Sequence, residues 1–193
     1  GMLGWMAIEA WGGAGWSRYG GFVLNTLILC LGAAGLVTGA ALLVAYAARL
    51  APGPAARAAE LAASVGYAAP GSVIAVGLLA PLAWTDNAVD AWAREALGVS
   101  TGLLLTGSVA GLLLAYLSRF MAAALNAVSA GFESVRPNLD ASARVLGCDV
   151  WGVVARVHAP MLRGSLLTAG LIVFVDVAKE LPATLMLRPF DFD

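Results

Sequence analysis

Read for hydrophobic and polar positions, the chain is a series of long charge-free runs separated by short stretches that hold nearly all its charges. Tyr19 to Ala48 is 30 residues without an Asp, Glu, Lys or Arg, Leu61 to Thr85 is 25, and Ala96 to Ser118 is 23. Each exceeds the roughly 20 residues a spanning helix needs. A fourth run, Gly164 to Val175, is twelve residues long before Asp176, Lys179 and Glu180 interrupt it, with Pro182 just beyond. Strands with open edges cannot satisfy their backbone groups in lipid, so runs of this length predict helices. The pattern therefore predicts an all-α, polytopic membrane helix bundle. Its helices fall at about 21–48, 61–84, 101–128 and 164–187, the third continuing past Arg119 as it leaves the membrane.

Composition agrees. Of 193 residues, 61% are hydrophobic and 12% charged, against roughly 25% charged in soluble domains. The net charge of −1 offers no basic excess to neutralise phosphates, which argues against a nucleic-acid partner. Two cysteines, Cys30 and Cys148, and a single histidine, His158, build neither a disulfide framework nor a metal site. No cofactor is expected. The first run is too long for a signal-peptide core and lacks a basic leader, so it reads as a retained helix.

Loop charges set the orientation. The segments 49–60 and 119–163 hold Arg49, Arg57, Arg119, Arg136, Arg144, Arg156 and Arg163. The other side holds Arg18, Arg94 and Arg188 beside Glu9, Asp86, Asp90, Glu95, Asp191 and Asp193. The positive-inside rule places 49–60 and 119–163 in the cytoplasm. Trp84 and Trp92, with Trp5, Trp11, Trp16 and Tyr19, form a candidate interfacial belt on the opposite side. Gly32, Gly35 and Gly39 in the first helix, and Gly66, Gly71 and Gly77 in the second, are candidates for close helix contacts. Pro70 and Pro81 are expected to kink the second helix.

The segment 133–163 is the most informative. Asn138 can cap a short helix of Leu139 to Leu146 ended by Gly147, and Asp149 a second helix from Val150 to about Val157. Pro160 then closes the polar part. The pair makes a compact knob whose small, apolar side, Ala141, Ala143, Leu146 and Gly147, suits docking into a groove on another protein. The alternative is an amphipathic pair lying on the membrane surface.

Ala141-Ser142-Ala143, three residues, Gly147, nine residues, Val157, one residue, Ala159-Pro160 resembles the EAA loop of ABC importer permeases. That family pattern is Glu-Ala-Ala, three residues, Gly, nine residues, Ile, one residue, Leu-Pro. Ala141 stands where the family has glutamate, and Asp140, next door, lies on another face of the helix. Three longer stretches resemble ferric-iron permeases of the type I importers: "NTLILCLGAAGLVTGAALLVAYAARL" from Asn25, "GYAAPGSVIAVGLLAPLAW" from Gly66, and "FVDVAKELPATLMLRPFDFD" from Phe174. The resemblance covers nearly everything from residue 19 to 193.

The resemblance implies a single permease domain over 1–193, incomplete at both ends and forming most of one half of a fused two-half chain. It implies a permease subunit in a bacterial inner membrane and not an enzyme. Hydrolysis then belongs to two cytoplasmic ATPase subunits, which agrees with the lack of a Gly-x-x-x-x-Gly-Lys-Ser/Thr loop here. A periplasmic binding protein and a second permease half complete the partners. The coupling residues carried over are Asp140, Ala141, Ala143, Arg144, Leu146, Gly147 and Pro160. Ferric iron is the implied cargo, with thiamine, sulfate or a polyamine as alternatives.

Asp176, Lys179, Glu180 and Pro182 form the candidate pathway or gate. Asp176 and Lys179 share a helix face at i,i+3, and the three charges leave the cluster at −1. Three readings compete: paired charges bracing a bend, an acidic pathway mouth that attracts a cation, and the site of an ion- or proton-coupled carrier. Pro182 is expected to break the helix. The segment Pro160 to Pro182 is read as one continuous element that could carry motion from knob to gate.

Overall fold

A computed structural model describes residues 16–136 and 138–187. They form α1 Trp16–Leu50, α2 Pro54–Ala68, α3 Gly71–Leu97, α4 Val109–Glu133 and α5 Asn138–Val145. Then follow α6 Val150–Met161, α7 Arg163–Lys179 and α8 Leu181–Leu187. No strand occurs among the described residues, so the fold is all-α. Three helices are long and apolar enough to cross a membrane: Gly20–Leu50, Gly71–Leu97 and Val109–Glu133. The bent pair α6 and α7 raises the number to four if it is one span.

The centre is a three-helix core of α1, α4 and α7. Small and branched residues spaced by four line each inner face: Ala33, Val37 and Ala41 on α1, Ala124 and Val128 on α4, and Ala169, Val173 and Val177 on α7. That spacing keeps one stripe facing inward, and small side chains let the backbones approach. Outward, Val23, Leu24, Ile28 and Leu31 of α1 and Leu167 and Leu171 of α7 are exposed. A soluble monomer rarely exposes so large an apolar band, whereas lipid covers it without cost. This is a membrane-spanning chain.

The expected second helix, 61–84, is two helices. Ala69 and Pro70 are extended, at φ −79°, ψ 140° and φ −57°, ψ 142°. A proline disfavours helical geometry in the residue before it and brings no N–H, so the chain breaks at Pro70, whereas Pro81 stays inside α3. α3 also runs on through Trp84 to Leu97, well past the expected boundary, with Trp84 and Trp92 both exposed. Of the six candidate contact glycines, two sit at tight approaches. A β-carbon on Gly66 would collide with the Ser118 backbone carbonyl of α4, and one on Gly71 with the Glu180 carboxylate. Gly32, Gly35, Gly39 and Gly77 have open space beside them.

The expected third helix, 101–128, is displaced to 109–133. Residues 99–106 instead fold back against α3, pinned by two carboxylates. Asp90 accepts the N–H groups of Thr101 and Gly102 at 2.8 and 3.1 Å. Asp86 accepts those of Leu104, Leu105 and Thr106 at 2.8–3.1 Å. Ser108 then caps α4, accepting from Gly111 N–H. Arg119 is therefore not a boundary residue; it lies mid-helix in α4 and its side chain is largely buried.

The expected fourth helix, 164–187, is interrupted as well. α7 ends at Lys179 and α8 begins at Leu181, with Glu180 non-helical at φ −82°, ψ 90°. The break falls two residues before Pro182, which sits in the first turn of α8, where a missing N–H is tolerated. At the other end, α6 and α7 meet at Leu162 with an 82° bend, so Pro160 to Pro182 is not continuous.

Candidate functional site

The knob forms as the spacing predicts. α5 ends in Gly147 at φ +86°, a conformation glycine adopts without steric cost. Gly147 N–H bonds the Arg144 carbonyl and Cys148 N–H the Ala143 carbonyl, both at 3.0 Å, a paired closure of the helix end. Asp149 caps α6 through Gly152 N–H at 2.8 Å. α6 widens to a π-helical turn over Val154–His158, immediately ahead of Pro160, which cannot donate to the regular ladder. Pro160 thus lies inside α6 and does not end it.

The knob's faces differ from expectation at one position. Ala143 is buried, turned toward the bundle, while Ala141, Arg144 and Gly147 are exposed. The protruding apolar side chains are Val145 at 88%, Leu146 at 83%, Trp151 at 66% and Val150 at 46% exposure. Such a cluster on a polar loop is the kind of surface that seeks a partner.

Beneath it, Asp140 joins four elements. Its Oδ2 accepts Arg49 Nε at 3.2 Å, and its Oδ1 lies 2.6 Å from His158 Nε2. An ionised carboxylate only accepts, so Nε2 carries the proton. Arg49, at the end of α1, also donates to the carbonyls of Phe132, Val135 and Arg136 at 3.0–3.2 Å. Phe132 lies in the last turn of α4 and its carbonyl also accepts Val135 N–H at 3.0 Å, while Val135 and Arg136 follow the helix. His158 is fully buried between the rings of Tyr46 and Phe132, at centroid distances of 4.9 and 5.0 Å. Asp140 therefore faces away from the Ala141 side and works inward.

At the other end of α7 the charged stretch divides. Asp176 pairs with Lys179 at 3.3 Å, as the i,i+3 spacing predicts. Glu180 does not join them; its Oε2 lies 3.0 Å from Nε of Arg119 on α4. Arg119 also donates to the Ala69 carbonyl at 2.7 Å, at the α2–α3 break. Glu180 Oε1 accepts Ala183 N–H at 3.3 Å, capping α8. The expected cluster of −1 is thus corrected: with Arg119 included, two acids face two bases. These groups, with Tyr67 and Phe120, line a cleft of about 420 Å³.

Arg49, Arg119 and His158 are the site residues the sequence did not assign. Arg119 left a trace, since 13 uncharged residues, Phe120 to Phe132, follow it and mark a charge inside an apolar segment. Asp140 and His158 lie 18 residues apart across a bend and left none. The arrangement is all-helical, with helices apolar enough to span a membrane, a protruding helical loop, and a charge junction where α7 meets α8. No protein-family model matches the chain, and no curated protein matches it.

Proposed function

We propose that the chain is the permease subunit of an ABC importer, lining a solute pathway and coupling to separate cytoplasmic ATPase subunits. The observation that carries this reading is the knob. It presents Val145, Leu146, Val150 and Trp151 outward, has a glycine-closed tip, and is tied at its base through Asp140 to α1, α4 and α6. A loop meant only to connect helices has no need of an exposed apolar tip on so firm a base. The spacing from Ala141 to Pro160 supports the same reading by resemblance. A bacterial inner membrane, a binding protein and a second permease half belong to it, and ferric iron is the cargo that the resemblance supplies. The neutral cleft adds nothing in favour of a cation.

The test is ATP-driven uptake in membrane vesicles holding the full-length protein and a candidate ATPase subunit. Leu146→Cys is expected to cross-link to that ATPase, and Leu146→Asp with Trp151→Asp to abolish uptake while membrane insertion is retained. Uptake that persists without ATP and follows an ion gradient refutes the reading.

A further inference from the structure

Two helices of the bundle are broken, and both breaks meet one arginine. The α2–α3 break gives its Ala69 carbonyl to Arg119, and the α7–α8 break gives Arg119 the Glu180 carboxylate. Glu180 is 92% buried and stands against Gly71, where no β-carbon fits. It is also the residue that two cavities share. On one side is the cleft of about 420 Å³ with Tyr67, Arg119, Asp176 and Lys179. On the other is a cavity of about 360 Å³ reached by Cys30, Tyr116 and Thr184. Tyr116 Oη and Thr184 Oγ1 are 2.6 Å apart, and Thr184 donates to the Glu180 carbonyl. Each cavity far exceeds the roughly 10–15 Å³ that one water needs.

We propose that the Arg119–Glu180 ion pair is the closed gate between two chambers of one pathway. Release of Glu180 from Arg119 joins them. The proposal rests on the reading of the chain as a transport protein and adds the gate's partner, Arg119. Three features make the pair able to open. A buried ion pair gains little net energy, because desolvation offsets the attraction. Glu180 is non-helical, so releasing its side chain costs the Ala183 cap and leaves its own N–H bond to Val177 in place. Pro182 has no N–H with which to rejoin α8 to the α7 ladder. The first chamber carries both signs of charge, whereas the second is walled mainly by apolar side chains, among them Leu29, Leu112, Val177 and Leu185, with hydroxyls from Tyr116 and Thr184, so the solute class is one with both polar and apolar surface.

Cys30 is a native reporter. It is 1% exposed and lines the second chamber, and Cys148 is the chain's other cysteine. In full-length protein carrying Cys148→Ser, in open membrane fragments, the probe is the water-borne thiol reagent methanethiosulfonate-ethyltrimethylammonium. Cys30 is expected to react at least tenfold faster when Glu180→Gln is added. A charge-exchanged pair, Arg119→Glu with Glu180→Arg, is expected to return the slow rate. As a control for general loosening, Val37→Cys, at a fully buried core position, replaces Cys30 as the target and is expected to stay unreactive in both backgrounds. An unchanged Cys30 rate in Glu180→Gln, an exchanged pair that labels as fast as the single variant, or equal acceleration at Val37→Cys overturns the gate. The assay needs neither ATPase nor cargo. A gate that opens in a chain that transports nothing would sink the permease reading and leave the pair's role standing.

Discussion

At position 140 a single carboxylate holds a guanidinium from α1 and an imidazole from α6. Deleting it leaves His158 Nε2 without this acceptor and strips Arg49 of this carboxylate, leaving the guanidinium its bonds to the carbonyls of Phe132, Val135 and Arg136. Asp140→Ala is expected to cost roughly 1–3 kcal/mol, since it removes charge-assisted hydrogen bonds and leaves a buried donor unsatisfied. A lowered unfolding temperature of the detergent-solubilised protein checks it. Ala141→Glu, which adds a charge at an exposed position, is expected to change stability by less than about 0.5 kcal/mol. If both variants lost stability equally, Asp140 would not be the structural anchor. The sequence placed Asp140 and Ala141 on different faces, which helical spacing dictates. What Asp140 grips was not legible, because its partners lie 91 and 18 residues away and only the folded bundle brings them together.

Among the elements, apolar run length located helices well and their ends poorly. A charge-free run says where lipid tolerates the chain, not where its backbone ladder stops. α3 continues through Asp86 and Asp90 because those carboxylates are consumed by the loop N–H groups that follow, a pairing no local pattern announces. Proline marked both breaks closely, at Pro70 and beside Pro182, because its effect on the backbone is local. The two tight glycine contacts give an element-scale prediction. Gly66→Ala pushes α2 off α4 against a backbone carbonyl and is expected to destabilise by about 1–3 kcal/mol, the usual cost of overpacking. Gly77→Ala, with open space beside it, is expected to be neutral or to stabilise by roughly 0.5–1 kcal/mol through its helix preference. Thermal unfolding of the two variants side by side distinguishes them. Gly147→Ala, forced to a left-handed conformation, is expected to lose about 1–2 kcal/mol.

For the whole molecule, the polarity of insertion is the testable quantity. The knob and the pinned loop after α3 lie at opposite ends of the bundle, and the excess of arginine near the knob predicts a cytoplasmic position for that end by the positive-inside rule. In a cysteine-free background, Val145→Cys at the knob tip is expected to react with an impermeant thiol reagent only from the cytoplasmic face. Val99→Cys, exposed after α3, is expected to react only from the other. Labelling of both from one face would remove the orientation.

The 82° bend at Leu162 gives the bundle a lever. From the bend, α6 reaches out about 18 Å at 1.5 Å per residue, nearly perpendicular to α7. By that length, a 5° rocking of α6 about Leu162 carries its far end by about 1.6 Å. Asp140 and His158 clamp α5 to α6, so a displacement of the knob's tip is expected to reach α7, whose last residue, Lys179, precedes Glu180.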